Sequence, residues 1–227
     1  MASNERLIES LYAGNAAEVD AELERGADPN HVSVTGETPL GVAALAGDKA
    51  IVERLLAAEA DPSVDAGDRG TPLELAVFAG HSGVAALLHA ADPSVVNTPN
   101  CEDSLTPLMR ACHTNDECAA GLLLSLSADL CAVDPMGRTP LSIACKREAV
   151  AVAELLISSS AEVDPYPAEA DVKNPLFQAA RAGSAAVVAL LLRRGAKAWL
   201  THRGATPRDV AVRKGRLAVV AVLGAGM

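Results

Sequence analysis

The side chains of this chain able to do covalent or metal chemistry are five cysteines (Cys101, Cys112, Cys118, Cys131, Cys145) and five histidines (His31, His81, His89, His113, His202). Thiolates and imidazoles hold zinc when they come in closely spaced pairs. They act as nucleophile and base when a third group orients them. No Cys-x-x-Cys, His-x-x-x-His or His-Glu-x-x-His spacing occurs. The glycines stand singly, so no glycine-rich loop can cradle a phosphate. The residues therefore predict no catalytic site, no metal site and no cofactor, and the chain is expected not to be an enzyme.

A different set of side chains carries the chemistry of an interface. Tyr12, Leu45, Phe78, His113, Lys146, Arg181 and Arg213 follow one another at steps of 33, 33, 35, 33, 35 and 32 residues. The first three are apolar and the last three basic, and Arg147 and Lys214 extend the basic end. Aromatic and arginine side chains are the types that anchor protein interfaces. Any one of these residues could simply cover neighbouring core or face water. Their ordering points instead to a protein partner with apolar anchors and an acidic stretch.

The elements that position this column are as regular as the column itself. Six triplets recur: Thr38-Pro39-Leu40, Thr71-Pro72-Leu73, Thr106-Pro107-Leu108, Thr139-Pro140-Leu141, Asn174-Pro175-Leu176 and Thr206-Pro207-Arg208. Their prolines are 33, 35, 33, 35 and 32 residues apart. A fixed period of this size marks a repeat array whose units bury their apolar faces against neighbours. The Thr or Asn is a helix N-cap, and proline fits the first helical position. Ala43, Ala76, Ala111, Ala144, Ala179 and Ala211 recur four residues after the proline, on the face of the leucines, so adjacent helices must lie close. Gly47, Gly80, Gly183 and Gly215 stop the helix at plus eight through a left-handed conformation. Asn115 tolerates the same conformation, while Glu148 at that position has no evident reason. A second helix follows in each unit, as in Ile51–Leu56 and Val187–Leu192, closed by Gly-Ala-Asp-like turns.

The pattern resembles the ankyrin repeat: Gly-x-Thr-Pro-Leu, two alanines, Gly-His, Ile-Val-x-x-Leu-Leu and Gly-Ala-Asp. Gly36 through Asp61 carries nearly all of it, and Gly70 through His81 the first half. The resemblance implies an all-α solenoid of stacked helix-turn-helix units with projecting β-hairpin loops and a concave groove, into which the plus-six column points. It also implies a structural hydrogen bond for His81. Residues 1–227 then form a single domain of seven repeats, about 5–30, 31–62, 63–93, 94–130, 131–163, 164–197 and 198–227. The first is expected to be an N-terminal cap and the last a C-terminal cap with a polar outer face, which would make the chain complete. Two links are irregular: Asp92–Thr106, after a short helix Val84–Ala91, and Val163–Lys173. Cys112 and Cys145 both fall at plus five and are expected in the core. Arg110 and Gln178 at plus three are either buried with partners or line the groove.

Charge sharpens the reading. Residues 1–172 hold 9 Lys/Arg against 28 Asp/Glu, and residues 173–227 hold 10 Lys/Arg against Asp209 alone, within a net charge of −10. Such asymmetry steers a complementary partner. An alternative is electrostatic binding of nucleic acid or anionic lipid by residues 173–227, but the acidic remainder would repel a large polyanion. No stretch is long and apolar enough to span a bilayer. The odd cysteine count and the N-terminus, which lacks an apolar leader, predict an intracellular location, cytoplasmic with the nucleus as the alternative; the chain is expected to be a monomer.

Overall fold

Proline has no N–H to leave unsatisfied at the first helical position, and each of Pro39, Pro72, Pro107, Pro140, Pro175 and Pro207 opens a helix. In this computed structural model, which describes residues 2–64, 70–101, 103–164, 174–201 and 204–225, there are fourteen α-helices and no strand among the described residues. They run as α1 (Ala2–Tyr12), α2 (Ala16–Glu24), α3 (Pro39–Ala46), α4 (Lys49–Ala57), α5 (Pro72–Phe78), α6 (Ser82–Ala91), α7 (Pro107–Thr114), α8 (Glu117–Ser125), α9 (Pro140–Lys146), α10 (Val150–Ser158), α11 (Pro175–Ala182), α12 (Ala185–Arg193), α13 (Pro207–Arg213) and α14 (Leu217–Ala225).

Capping follows the triplets. The Thr38, Thr139 and Thr206 hydroxyls accept from the backbone N–H three residues on, at 3.0, 3.2 and 3.2 Å. The Asn174 side chain accepts from Leu176 at 2.9 Å, so asparagine does the threonine's work. At Thr71 the cap is reciprocal, because Glu74 accepts the Thr71 N–H in return. At the other end, Gly47 and Gly183 take φ of 75° and 106°. Asn115 and Glu148 are forced into the same region at φ 58° and 60°.

The chain divides into two compact units. The first comprises Met1–Pro107 and Ser125–Ser127, the second Leu108–Leu124 and Ala128–Met227. Within the first unit, α1, α3 and α5 pack in succession, and α2, α4 and α6 do the same behind them. Within the second, α9, α11 and α13 form one layer, and α10, α12 and α14 the other. Both layers meet on the columns read above. The triplet leucines and the plus-four alanines are at most 1% exposed. Burying each leucine stabilises by roughly 1.5–3 kcal/mol relative to leaving it in water. The alanines let the helices approach without steric conflict.

Two expectations need correction. The α6 helix is not short: it starts at Ser82, two residues before the apolar run, and has 10 residues. The link after it carries a 3₁₀ turn, Pro93–Val96, whose Val95 and Val96 are buried, so it adds to the core. Finally, the outer face of the last unit is not simply polar. Arg208 and Asp209 are exposed, but so is Leu217 at the start of α14, at 79%. The part of the Val163–Lys173 link from 165 to 173 and residue His202 lie outside the described residues.

Candidate functional site

Each column residue sits at or next to the last position of a first helix. Tyr12 ends α1 and Phe78 ends α5; Leu45 stands one residue before the end of α3. In the first unit Tyr12 and Leu45 are exposed, at 61% and 44%, while Phe78 is half-buried. The Tyr12 hydroxyl donates to Glu37 Oε1. Glu37 belongs to a tight turn in which Ser33 N–H bonds the Glu37 carbonyl at 2.8 Å. The Thr35 hydroxyl donates to the same carboxylate at 3.0 Å. Tyr12 lines one cleft with Leu45, Val42 and Leu75. The cleft they line measures only about 10 Å³, a shallow apolar surface rather than a pocket.

The second unit is different. Lys146 ends α9, Arg213 ends α13, and Arg181 stands one residue before the end of α11. With Lys214 they line an open cavity of about 750 Å³. Its apolar lining comes from Phe177, Val210 and Met136, the last 64% exposed. Gln178 also lines it, which answers the question posed by its plus-three position in favour of the cavity. One wall is a turn built on Asp134. Its Oδ1 accepts the N–H groups of Met136 and Arg138 at 2.9 and 2.8 Å, and its Oδ2 receives Arg138 Nε at 2.5 Å. Lys146, Arg181, Arg213 and Lys214 form no ion pair with a described residue.

The remaining column residue, His113, meets Arg147, its neighbour from the next repeat. Arg147 Nη2 is hydrogen-bonded to His113 Nε2. Neither residue lines the cavity. Arg110 is half-buried, with Nε and Nη2 enclosed by protein, and lines neither cleft.

Sequence reasoning did not single out Phe177, Val210, Met136 or Arg138. Phe177 and Val210 stand two and three residues after their prolines, close to the core face. Met136 and Arg138 precede Thr139 in a turn whose reach depends on Asp134. The signal present was the Gly137-x-Thr139 pattern, which marks a turn but not the direction of its side chains.

The His81 expectation holds. His81 Nε2 lies 3.1 Å from the Leu45 carbonyl oxygen. The ring packs so closely on Gly47 that a Cβ there would meet Nδ1 at 2.5 Å. Arg216 occupies the corresponding place over Gly183 in the second unit.

Cys112 and Cys145 are fully buried as expected, whereas Cys101, Cys118 and Cys131 are exposed. Burial pushes the Cys112 thiol up to about 12 and also raises that of Cys145, with Cys112 adding to the latter. Neither is a nucleophile near neutral pH. Among the described residues no three His, Cys, Asp or Glu side chains lie close enough to hold a metal ion. No helix among them is long and apolar enough to cross a membrane.

Comparison with known proteins gives a consistent result. The family model for ankyrin repeats, in three copies, matches residues 3–98 and 91–167. Tyrosine-protein kinase HTK16 of Hydra vulgaris is 33% identical over 109 residues, 48% of this chain and 14% of that protein. Human ankyrin repeat domain-containing protein 63 is 34% identical over 111 residues, 47% of this chain and 28% of its own length. This chain thus spans less than a third of either relative. Among solved structures, the ankyrin repeat domain of Bcl-3, a member of the IkappaB protein family, superimposes with a TM-score of 0.81 at 26% identity, covering 96% of this chain and 97% of that one. The human ASB11 ankyrin repeat domain gives 0.71 at 24% identity over 95% and 96% of the chains, which speaks to the fold alone.

Proposed function

The chain belongs to the ankyrin-repeat family, and we propose that its seven repeats serve as one non-catalytic adaptor that binds a protein partner through the ends of its first helices. Ankyrin repeats are generally protein-interaction modules. The observation that carries the finer reading is chemical. The first-helix ends offer exposed Tyr12 and Leu45 in one unit, and in the other Lys146, Arg181, Arg213 and Lys214, which form no ion pair with a described residue. Charged side chains left without intramolecular partners are free to pair with a ligand at no cost in broken bonds. The partner in this reading presents apolar anchors and an acidic stretch. The adaptor works as a cytoplasmic monomer without a cofactor.

Affinity capture from cell extract tests this, with the intact chain beside two folded variants. One reverses Lys146, Arg181 and Arg213 to Glu; the other changes Tyr12 and Leu45 to Ser. A protein retained by the intact chain and lost by both variants supports the reading. Equal recovery by all three rejects it. The alternative, nucleic acid or anionic lipid bound by residues 173–227, rests on the ten Lys/Arg found there and gains only if the intact chain retains such a polyanion.

A further inference from the structure

We infer that the 750 Å³ cavity of the second unit is by itself a recognition site for a short acidic peptide segment carrying one apolar side chain among its carboxylates. The inference rests on the proposed interaction role and narrows it. It moves the apolar anchor from the Tyr12–Leu45 surface into the basic cavity.

The lining requires a ligand with two properties at once. Lys146, Arg181 and Arg213 come from three successive repeats, one charge each, and Lys214 adds a fourth. Charges distributed over three helix ends match an extended segment bearing several anions, rather than a lone phosphate held at one point. Between them lies apolar surface: Phe177 on the floor, Val210 beside it, and Met136 on the wall. Phe177 is 7% exposed and offers no face for nucleobase stacking, while Met136, 64% exposed, supplies most of the apolar surface an aliphatic side chain could meet. A volume of this order is typical of sites that enclose a ligand of several linked groups.

The wall is preorganised. Asp134 is 5% exposed, and its carboxylate is satisfied by the Met136 and Arg138 amides and the Arg138 guanidinium. Asp134 therefore does not neutralise the other four cations. Instead its bonds to the Met136 and Arg138 amides fix the backbone of the turn that carries Met136. Charge complementarity, with four cations and no ion-pair partner among the described residues, selects the acidic segment. The apolar floor selects a peptide over a nucleic acid.

The test uses the full chain and fluorescently labelled synthetic peptides, read by anisotropy. The probe has one leucine flanked on both sides by glutamates. Control peptides replace the leucine by serine, or the glutamates by glutamines. Expected are saturable binding of the probe that weakens with salt, and losses of about tenfold or more with either control. The exposed substitutions Arg181→Glu with Arg213→Glu, and separately Met136→Ser, should each weaken binding, whereas Val34→Ser, at a 96% exposed valine of the first unit, should leave it unchanged. Circular dichroism confirms that each variant is folded. Equal affinity for the serine control would overturn the inference, because attraction would then be electrostatic alone. Stronger competition by single-stranded RNA than by the unlabelled probe would do the same. Absence of probe binding, while capture from extract still depends on Lys146, Arg181 and Arg213, would sink this inference and leave the adaptor reading standing.

Discussion

The side chain of Asn30 bridges to the next repeat at Asp61: its Oδ1 accepts the Asp61 N–H at 2.7 Å, and its Nδ2 donates to the Glu59 carbonyl at 3.1 Å. Within the second unit Asp164 makes the corresponding bond to the Lys197 N–H at 2.9 Å. Asn4 does likewise for Asp28 at 2.9 Å. A side-chain carboxyl or amide thus satisfies a backbone donor one repeat away and fixes the stacking of successive turns. Asn30→Ala should lower stability by about 1 kcal/mol in denaturant unfolding, since both bonds are near the surface. Asn30→Asp, which keeps the acceptor and loses the donor, should fall between.

Gly47 and His81 form a coupled pair. Alanine at 47 must adopt a left-handed φ near 75° and also displace the His81 ring. The substitution Gly47→Ala should cost about 2 kcal/mol or more, of which roughly 1–2 is the left-handed conformation itself. In a His81→Ala background the cost should fall toward that lower part, and a double-mutant cycle by urea unfolding measures the difference.

Glu148 is strained where its counterparts are glycine or, once, asparagine. It holds φ 60° as an exposed residue after α9. Glu148→Gly should raise the unfolding midpoint, by about 0.5–1 kcal/mol in free energy, because relief of the left-handed penalty exceeds the entropy glycine gains in the unfolded chain.

Thiol reactivity should split by burial. Cys101, Cys118 and Cys131 should react with an aromatic disulfide reagent in the native protein, and Cys112 and Cys145 only after denaturation. Fast modification of Cys112 in native buffer would contradict its enclosure between helices and its raised thiol pKa.

Acid should destabilise the fold through specific carboxylates. Glu22, Asp92 and Asp209 are held below the ordinary carboxylate range. The leading causes are the hydrogen bonds from the Ser3 hydroxyl, from Ser94 and from Thr206, respectively. A lowered pKa in the folded state means that the unfolded chain binds more protons. Their contribution is therefore present at neutral pH and is lost as pH falls below about 4 and through the folded values. Thr206→Val should remove part of that acid dependence, as followed by thermal unfolding between neutral and acid pH.

Much of this protein could be read before any coordinates. The prolines mark the starts of the six triplet helices because proline fits the first turn and is excluded from the interior. Leu40, Leu73, Leu108, Leu141 and Leu176 mark the core because a helix repeats its face every three to four residues. Glu148 could not be explained from sequence. The neighbouring repeats require a left-handed residue there whatever its type, so context overrides the side chain's preference.

Composition and period determined the repeat architecture, the helix phase and the ordering of apolar before basic side chains in the plus-six column. These are local or additive properties of the chain. Tertiary structure decided which of those side chains share a cavity. Lys146, Arg181 and Arg213 meet around Phe177 and Met136, while Arg147 turns to His113 and Tyr12 is tied to Glu37. The direction of a side chain at a helix end is set by partners some 25 to 35 residues away, and spacing along the chain does not encode that choice.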